Sequence, residues 1–135
     1  MIAKQVIVHW VVIFGLATCA IGQTASEPGL VISEISSDKK YGFKKSQSIK
    51  VGSVSNEYAF MAQLTGPEGQ KLAIQRLGSC CGFKSDSAPM GKGFLDRWEV
   101  SYEGLSEPLV LYLNGYELEE VKCPQGLGFI KMEEN

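Results

Sequence analysis

The sequence predicts an α+β domain: a small antiparallel sheet of about four or five strands with one packed helix. Three stretches carry that reading. Asn56 to Leu64 (NEYAFMAQL) has helical spacing, Leu95 to Glu103 alternates with a period of two, and Leu109 to Leu113 is a continuous apolar run.

For the helix, Ser55 stands at the N-cap and Glu57 in the first turn, where a carboxylate suits the helix dipole. Tyr58, Met61, Ala62 and Thr65 share a face, and Gly66-Pro67 stops the helix; a hairpin turning at Gly66–Gly69 competes for the same residues. In the best strand, Trp98, Val100 and Tyr102 point one way while Arg97, Glu99 and Ser101 point the other, as in a half-buried strand. The run Leu109–Leu113 suits a central strand, and Asn114-Gly115 turns the chain toward a further strand, Tyr116 to Val121. Lys71 to Leu77 is the remaining clear strand, with Leu72 and Ile74 on one side. Leu30 to Ile35 alternates only partly, and Tyr41 to Gly52 reads as irregular or extended.

The first 22 residues have the three parts of a secretory signal: Lys4 as the positive start, an apolar stretch from Val6 broken by His9, then small residues. The apolar run reaches about 16 residues, short of the roughly 20 that span a bilayer. Leu16-Ala17-Thr18-Cys19 approximates a lipobox ending at Cys19, although Thr18 replaces the usual small residue; Ala20-Ile21-Gly22 offers an ordinary cleavage site before Gln23. Residues 23–29 read as a tether and 30–135 as one globular domain. The chain is therefore expected in the periplasm or held at the membrane through a lipid on Cys19, with an unidentified envelope component as partner. A formal charge of −2 for all 135 residues, with no basic excess, argues against nucleic acid.

An oxidising compartment makes disulfides the default. Cys80, Cys81 and Cys123 follow the leader. Adjacent Cα atoms lie about 3.8 Å apart, below the roughly 4.4–6.8 Å of a relaxed bridge. A bond from Cys123 to one of the pair is thus favoured over Cys80–Cys81. The thiol left over reads as a small buried hydrophobe, as a redox-exchange group, or as part of a three-thiolate metal site.

His9 is the only histidine, and it lies in the leader. The domain therefore lacks imidazole for Ser-His-Asp or Cys-His catalysis and for histidine metal sites. No phosphate-binding G-x-x-x-x-G-K-[ST] loop occurs, and Gly91-Lys92-Gly93 reads as a flexible turn. Glu99 and Glu103, with Asp96 nearby, are the candidates for paired-acid chemistry, against a solvated face paired with Arg97. Lys39, Lys40, Lys44, Lys45 and Lys50, interleaved with Tyr41 and Phe43, form a basic segment suited to anionic headgroups or simply to solubility. No cofactor or metal is expected.

Arg76-Leu77-Gly78-Ser79-Cys80-Cys81-Gly82-Phe83, Trp98-Glu99-Val100-Ser101-Tyr102-Glu103-Gly104-Leu105, Leu111-Tyr112-Leu113-Asn114 and Pro124-Gln125-Gly126 together resemble a family of small bacterial exported or lipid-anchored proteins. The resemblance spans about Lys50 to Phe129 and carries no catalytic residue over. Relatives sometimes bear the name 2-dehydro-3-deoxyphosphooctonate aldolase. That activity implies a (β/α)₈ barrel of at least about 200 residues, longer than this chain. The expectation is a non-enzymatic envelope module that binds or braces. Two alternatives stand beside it, a thiol-redox protein using Cys80, Cys81 and Cys123 and a carboxylate-dependent hydrolase or lyase.

Overall fold

The computed structural model describes residues 29–132; the residues expected to form a leader, Cys19 included, and those of the expected tether up to residue 28 lie outside them. One helix, α1 (Val54–Gln63), packs on a mixed sheet. The sheet is built from β1 (Ile49–Lys50), β3 (Ala73–Lys84), β4 (Lys92–Ser101) and β5 (Leu109–Asn114) in the order β1-β5-β4-β3. A small second sheet pairs β2 (Leu64–Thr65) with β6 (Gly128–Phe129). The α+β class holds, with β1 running parallel to β5 and the other pairs of the main sheet antiparallel.

α1 begins two residues before its expected start. Ser53, not Ser55, caps it, its Oγ accepting the Asn56 N–H at 3.1 Å. Its buried stripe is Glu57, Phe60, Met61 and Leu64, the i, i+3, i+4, i+7 set. Tyr58 and Ala62, expected inward, face solvent. A glutamate inside the stripe hides it from a hydrophobicity pattern. The helix ends at Gln63, before Gly66-Pro67, because Leu64 and Thr65 leave to pair with β6. Gln63 then pins the entering chain: its Oε1 accepts the Ile32 N–H at 3.0 Å and its Nε2 donates to the Leu30 carbonyl at 2.7 Å.

Beneath the helix lie Trp98 and Val100 from β4, Leu111 and Leu113 from β5, Ile49 and Val51 around β1, and Val121, Cys123 and Leu127 from the C-terminal segment. Each such side chain contributes on the order of 1.5–3 kcal/mol through burial. β5 is the interior strand expected of its apolar run.

Asn114-Gly115 does turn the chain, with Asn114 Oδ1 accepting the N–H groups of Tyr116 and Glu117. The expected strand after it does not form. β1 already occupies the free side of β5, so this segment makes only the isolated bridge of Leu118 to Val51, and Cys123 just beyond it bridges Ile35. Leu30–Ile35 likewise forms no strand beyond that bridge. β4 stops at Ser101, which places Glu103 in the turn after it.

β3 is longer than expected, running from Ala73 through the Arg76–Phe83 motif to Lys84 at the sheet edge. Its pairing with β4 slips twice, between Arg76 and Gly78 and between Cys80 and Gly82. Gly78 takes φ +100° at the first bulge and Cys81 takes φ +55° at the second. Bulges of this kind discourage another strand from adding to an edge.

Candidate functional site

The β3–β4 hairpin gathers most of the chemistry the chain offers. Cys80 and Cys81 are bonded to each other, with Cα atoms 3.8 Å apart, and Cys123 is the free thiol. This corrects the expectation of a bridge to Cys123. In regular extended backbone the two side chains would point to opposite faces. The bulge at Cys81 breaks that alternation and lets them meet. Cys123 meanwhile is fully buried in the core, its Sγ donating to the Pro124 carbonyl at 3.4 Å. Burial pushes its thiol up to about 11, which disfavours the reactive thiolate. With two sulfurs bonded to one another and the third in the core, the three cysteines form no thiolate cluster.

Next to the bridge, Ser79 and Arg76 reach across to Asp96 on β4. The Ser79 hydroxyl donates to Asp96 Oδ1 at 2.8 Å and the Arg76 guanidinium to the same oxygen at 2.7 Å. On the helix side, Glu57 Oε2 accepts the Trp98 indole N–H at 3.2 Å, and Tyr58 packs edge-on to Trp98 with ring centroids 5.0 Å apart. Glu57 is 1% exposed and Asp96 6%. Desolvation pushes Glu57 up to about 7, the adjacent Asp96 charge adding to the rise while the Trp98 bond opposes it. Burial alone would raise Asp96 too, but the bonds from Ser79, Arg76 and Glu57 outweigh it and hold Asp96 below its usual value. Glu57 Oε1 has no donor facing it. A neutral Glu57 donates to the adjacent ionised Asp96, which adds to the rise.

Glu57, Arg76 and Ser79 were not singled out from the sequence as site residues. The pairing of Ser79 opposite Asp96 depends on the bulge at Leu77-Gly78, which shifts register by one residue. No local pattern announces that shift.

Concavities mark the surface of the described residues. One of about 520 Å³ lies at the end of the hairpin, lined by Gly82, Phe83, Lys84, Met90, Gly91 and Lys92. A second of about 380 Å³ is walled by Met61, Leu64, Leu72, Ile74 and Ile130, and a third of about 310 Å³ by Val31, Phe129 and Met132 among others. No carboxylate lines any of the three. Glu99 stands half-buried on β4 opposite Val110 and Gln75, and Glu103 is exposed beyond the strand end, so the two acids do not converge on a cleft.

The basic segment is dispersed as well. Lys50 pairs with Glu119 at 3.0 Å, Tyr41 accepts the Lys122 N–H through its hydroxyl, and Phe43 packs against the core, while Lys39, Lys40, Lys44 and Lys45 are exposed. Gly91-Lys92-Gly93, expected as a flexible turn, instead runs from a tight turn into β4.

Comparison of the chain with protein-family models, with curated proteins and with solved structures finds no match.

Proposed function

We propose that this chain is an exported, non-enzymatic binding module of the cell envelope, and that the β3–β4 hairpin is its contact surface. One observation carries the reading: the hairpin projects apolar side chains into solvent while the acid–base groups behind it are bonded to one another. Ile74, Leu77, Phe94 and Met90 are all exposed along it. Solvent-facing apolar groups gathered on one element mark interaction sites more often than singly scattered ones do. Glu57 and Asp96 reach no concavity and serve instead to lock α1 to the sheet and β3 to β4. Export rests on the three-part leader, and a lipid on Cys19 would hold the domain at the membrane.

Cell fractionation tests this directly. Expressed in a bacterium, the full chain should partition with the envelope. Leu77→Glu and Phe94→Glu, both at exposed positions, should weaken that association in a Cys19→Ser background without changing the far-ultraviolet circular dichroism. Retention in the cytoplasm, or envelope association indifferent to both substitutions, would overturn the proposal.

A second reading, thiol exchange, is favoured by the vicinal bridge. A thiolate of a partner dithiol attacks one sulfur of the Cys80–Cys81 bond, forming a mixed disulfide and expelling the other sulfur as a thiolate. The partner's second thiolate then releases the chain. The partner leaves as a disulfide and the pair gains two electrons and two protons. Cys123 plays no part in this version. Cys81→Ser should abolish any such exchange, and an exchange rate unchanged in that variant would remove the reading.

A further inference from the structure

Lys84 and Lys92 stand directly opposite each other, the last and first residues of β3 and β4. Like charges placed this way across a strand pair destabilise it. Among the described residues neither ammonium has a carboxylate within ion-pair distance. Two acids of the neighbouring segments are otherwise placed. Asp86 is exposed in the connecting loop, and Glu117 accepts from Ser85 and Asn114 and neighbours Lys50. The hairpin thus concentrates positive charge that the protein itself leaves uncompensated.

The surroundings of the two lysines are shaped. They line the concavity of about 520 Å³ together with Gly82, Phe83, Met90 and Gly91, although the Phe83 ring itself lies over Gly93 and edge-on to Tyr116, on the opposite face of the strand pair. A side chain at position 82 would meet the Lys92 Cε at 2.9 Å, so glycine there gives the lysine its path over the strand. Lys92 also lies 5.4 Å from the Phe94 ring centroid, an arrangement that positions the ammonium beside an aromatic face. Met90, fully exposed, is held at φ +58°, a backbone conformation uncommon for a residue with a side chain. Two unpaired ammonium groups over a partly apolar hollow call for an anion attached to an apolar body.

We infer that Lys84 and Lys92 form a binding site for a phosphate or sulfate ester carrying an apolar group, the anion held between the ammonium groups and the apolar part against Met90 and the exposed Phe94 ring. This deepens the binding-module reading above and rests on it. The same chemistry occurs in an anionic lipid headgroup and in a soluble ester.

Equilibrium binding of hexyl phosphate to the full chain tests the site, with wild type, Lys84→Gln and Lys92→Gln compared so that the apolar leader contributes equally to all. Each substitution should weaken binding by about tenfold, the loss expected for one charge-assisted hydrogen bond, with unchanged circular dichroism. Displacement of hexyl phosphate by phosphatidylglycerol vesicles, but not by phosphatidylcholine vesicles, assigns the lipid source; displacement by neither assigns the soluble one. Absence of hexyl phosphate binding, or equal binding by all three proteins, overturns the inference. If envelope association still depends on Leu77 and Phe94 in that event, the ligand class falls and the contact surface stands.

Discussion

The Trp98 indole of β4 donates a buried 3.2 Å hydrogen bond to the Glu57 carboxyl of α1, joining the helix to the middle of the sheet. The acceptor is a carboxyl that burial has pushed up to about 7 from an ordinary 4.5. The folded state therefore binds a proton in that window that the unfolded chain has already released. Stability then falls as pH rises from about 4.5 to about 7. The shift corresponds to a loss on the order of 3 kcal/mol. Thermal unfolding followed by circular dichroism should show the melting temperature declining over that range. Glu57→Gln keeps an acceptor for Trp98 and a donor for Asp96 without a charge, and should flatten the decline. A wild-type melting temperature that rises across the same window would contradict this assignment.

Trp98→Phe removes the donor while keeping an aromatic ring beside Tyr58. The Glu57 carboxyl then loses its one hydrogen-bonded partner on that side, a cost of about 1–3 kcal/mol. The cost should be larger at pH 8 than at pH 5, because the ionised form depends most on that bond. Chemical denaturation at the two pH values measures it.

The bridge makes a countable prediction. With Cys19 replaced by serine, the native protein should show no reactive thiol, since Cys123 is fully buried. The unfolded, unreduced protein should show one. Two observations bear on the bond itself: its Cα separation of 3.8 Å falls below the usual range, and Cys81 adopts φ +55°. Reduction lets Cys81 relax, so the bond should reduce more readily than ordinary structural disulfides, at a potential above about −300 mV. Titration with dithiothreitol and thiol labelling reads the value.

Much of the fold was legible because it follows from local pattern. The alternation through Trp98 and Val100 and the apolar run Leu109–Leu113 appear as β4 and as the interior strand β5. What escaped was non-local or polar. Glu57 sits in the buried stripe of α1, so the hydrophobic pattern assigned the wrong face to the helix. The Cys80–Cys81 bond required a bulge that turns Cys81 into positive φ, and no residue type at that position demands it. The contact of Ser79 with Asp96 required a second bulge three residues earlier, where Gly78 supplies the conformation. The parallel pairing of β1 with β5 is non-local, and it displaced the strand expected from Tyr116 to Val121.

Asp96 gives the last test, because its charge is what Glu57 feels. Ser79 and Arg76 hold Asp96 ionised, and the ionised Asp96 both repels a second negative charge and accepts the Glu57 proton. Asp96→Asn removes the charge and keeps the shape. Desolvation still raises Glu57, but two of the causes holding it up are gone, so its midpoint should fall below about 7 without reaching the ordinary 4.5. Trp98 reports this directly: in a Trp10→Phe background its fluorescence should titrate with the Glu57 bond to its indole. Arg76→Ala should act in the opposite sense, since the guanidinium favours the ionised form of Glu57 and its removal leaves the two carboxyls without a cation. Opposite displacements of the fluorescence midpoint in the two variants would establish the pair as one coupled unit. A midpoint unmoved by Asp96→Asn would mean that burial alone sets the Glu57 value.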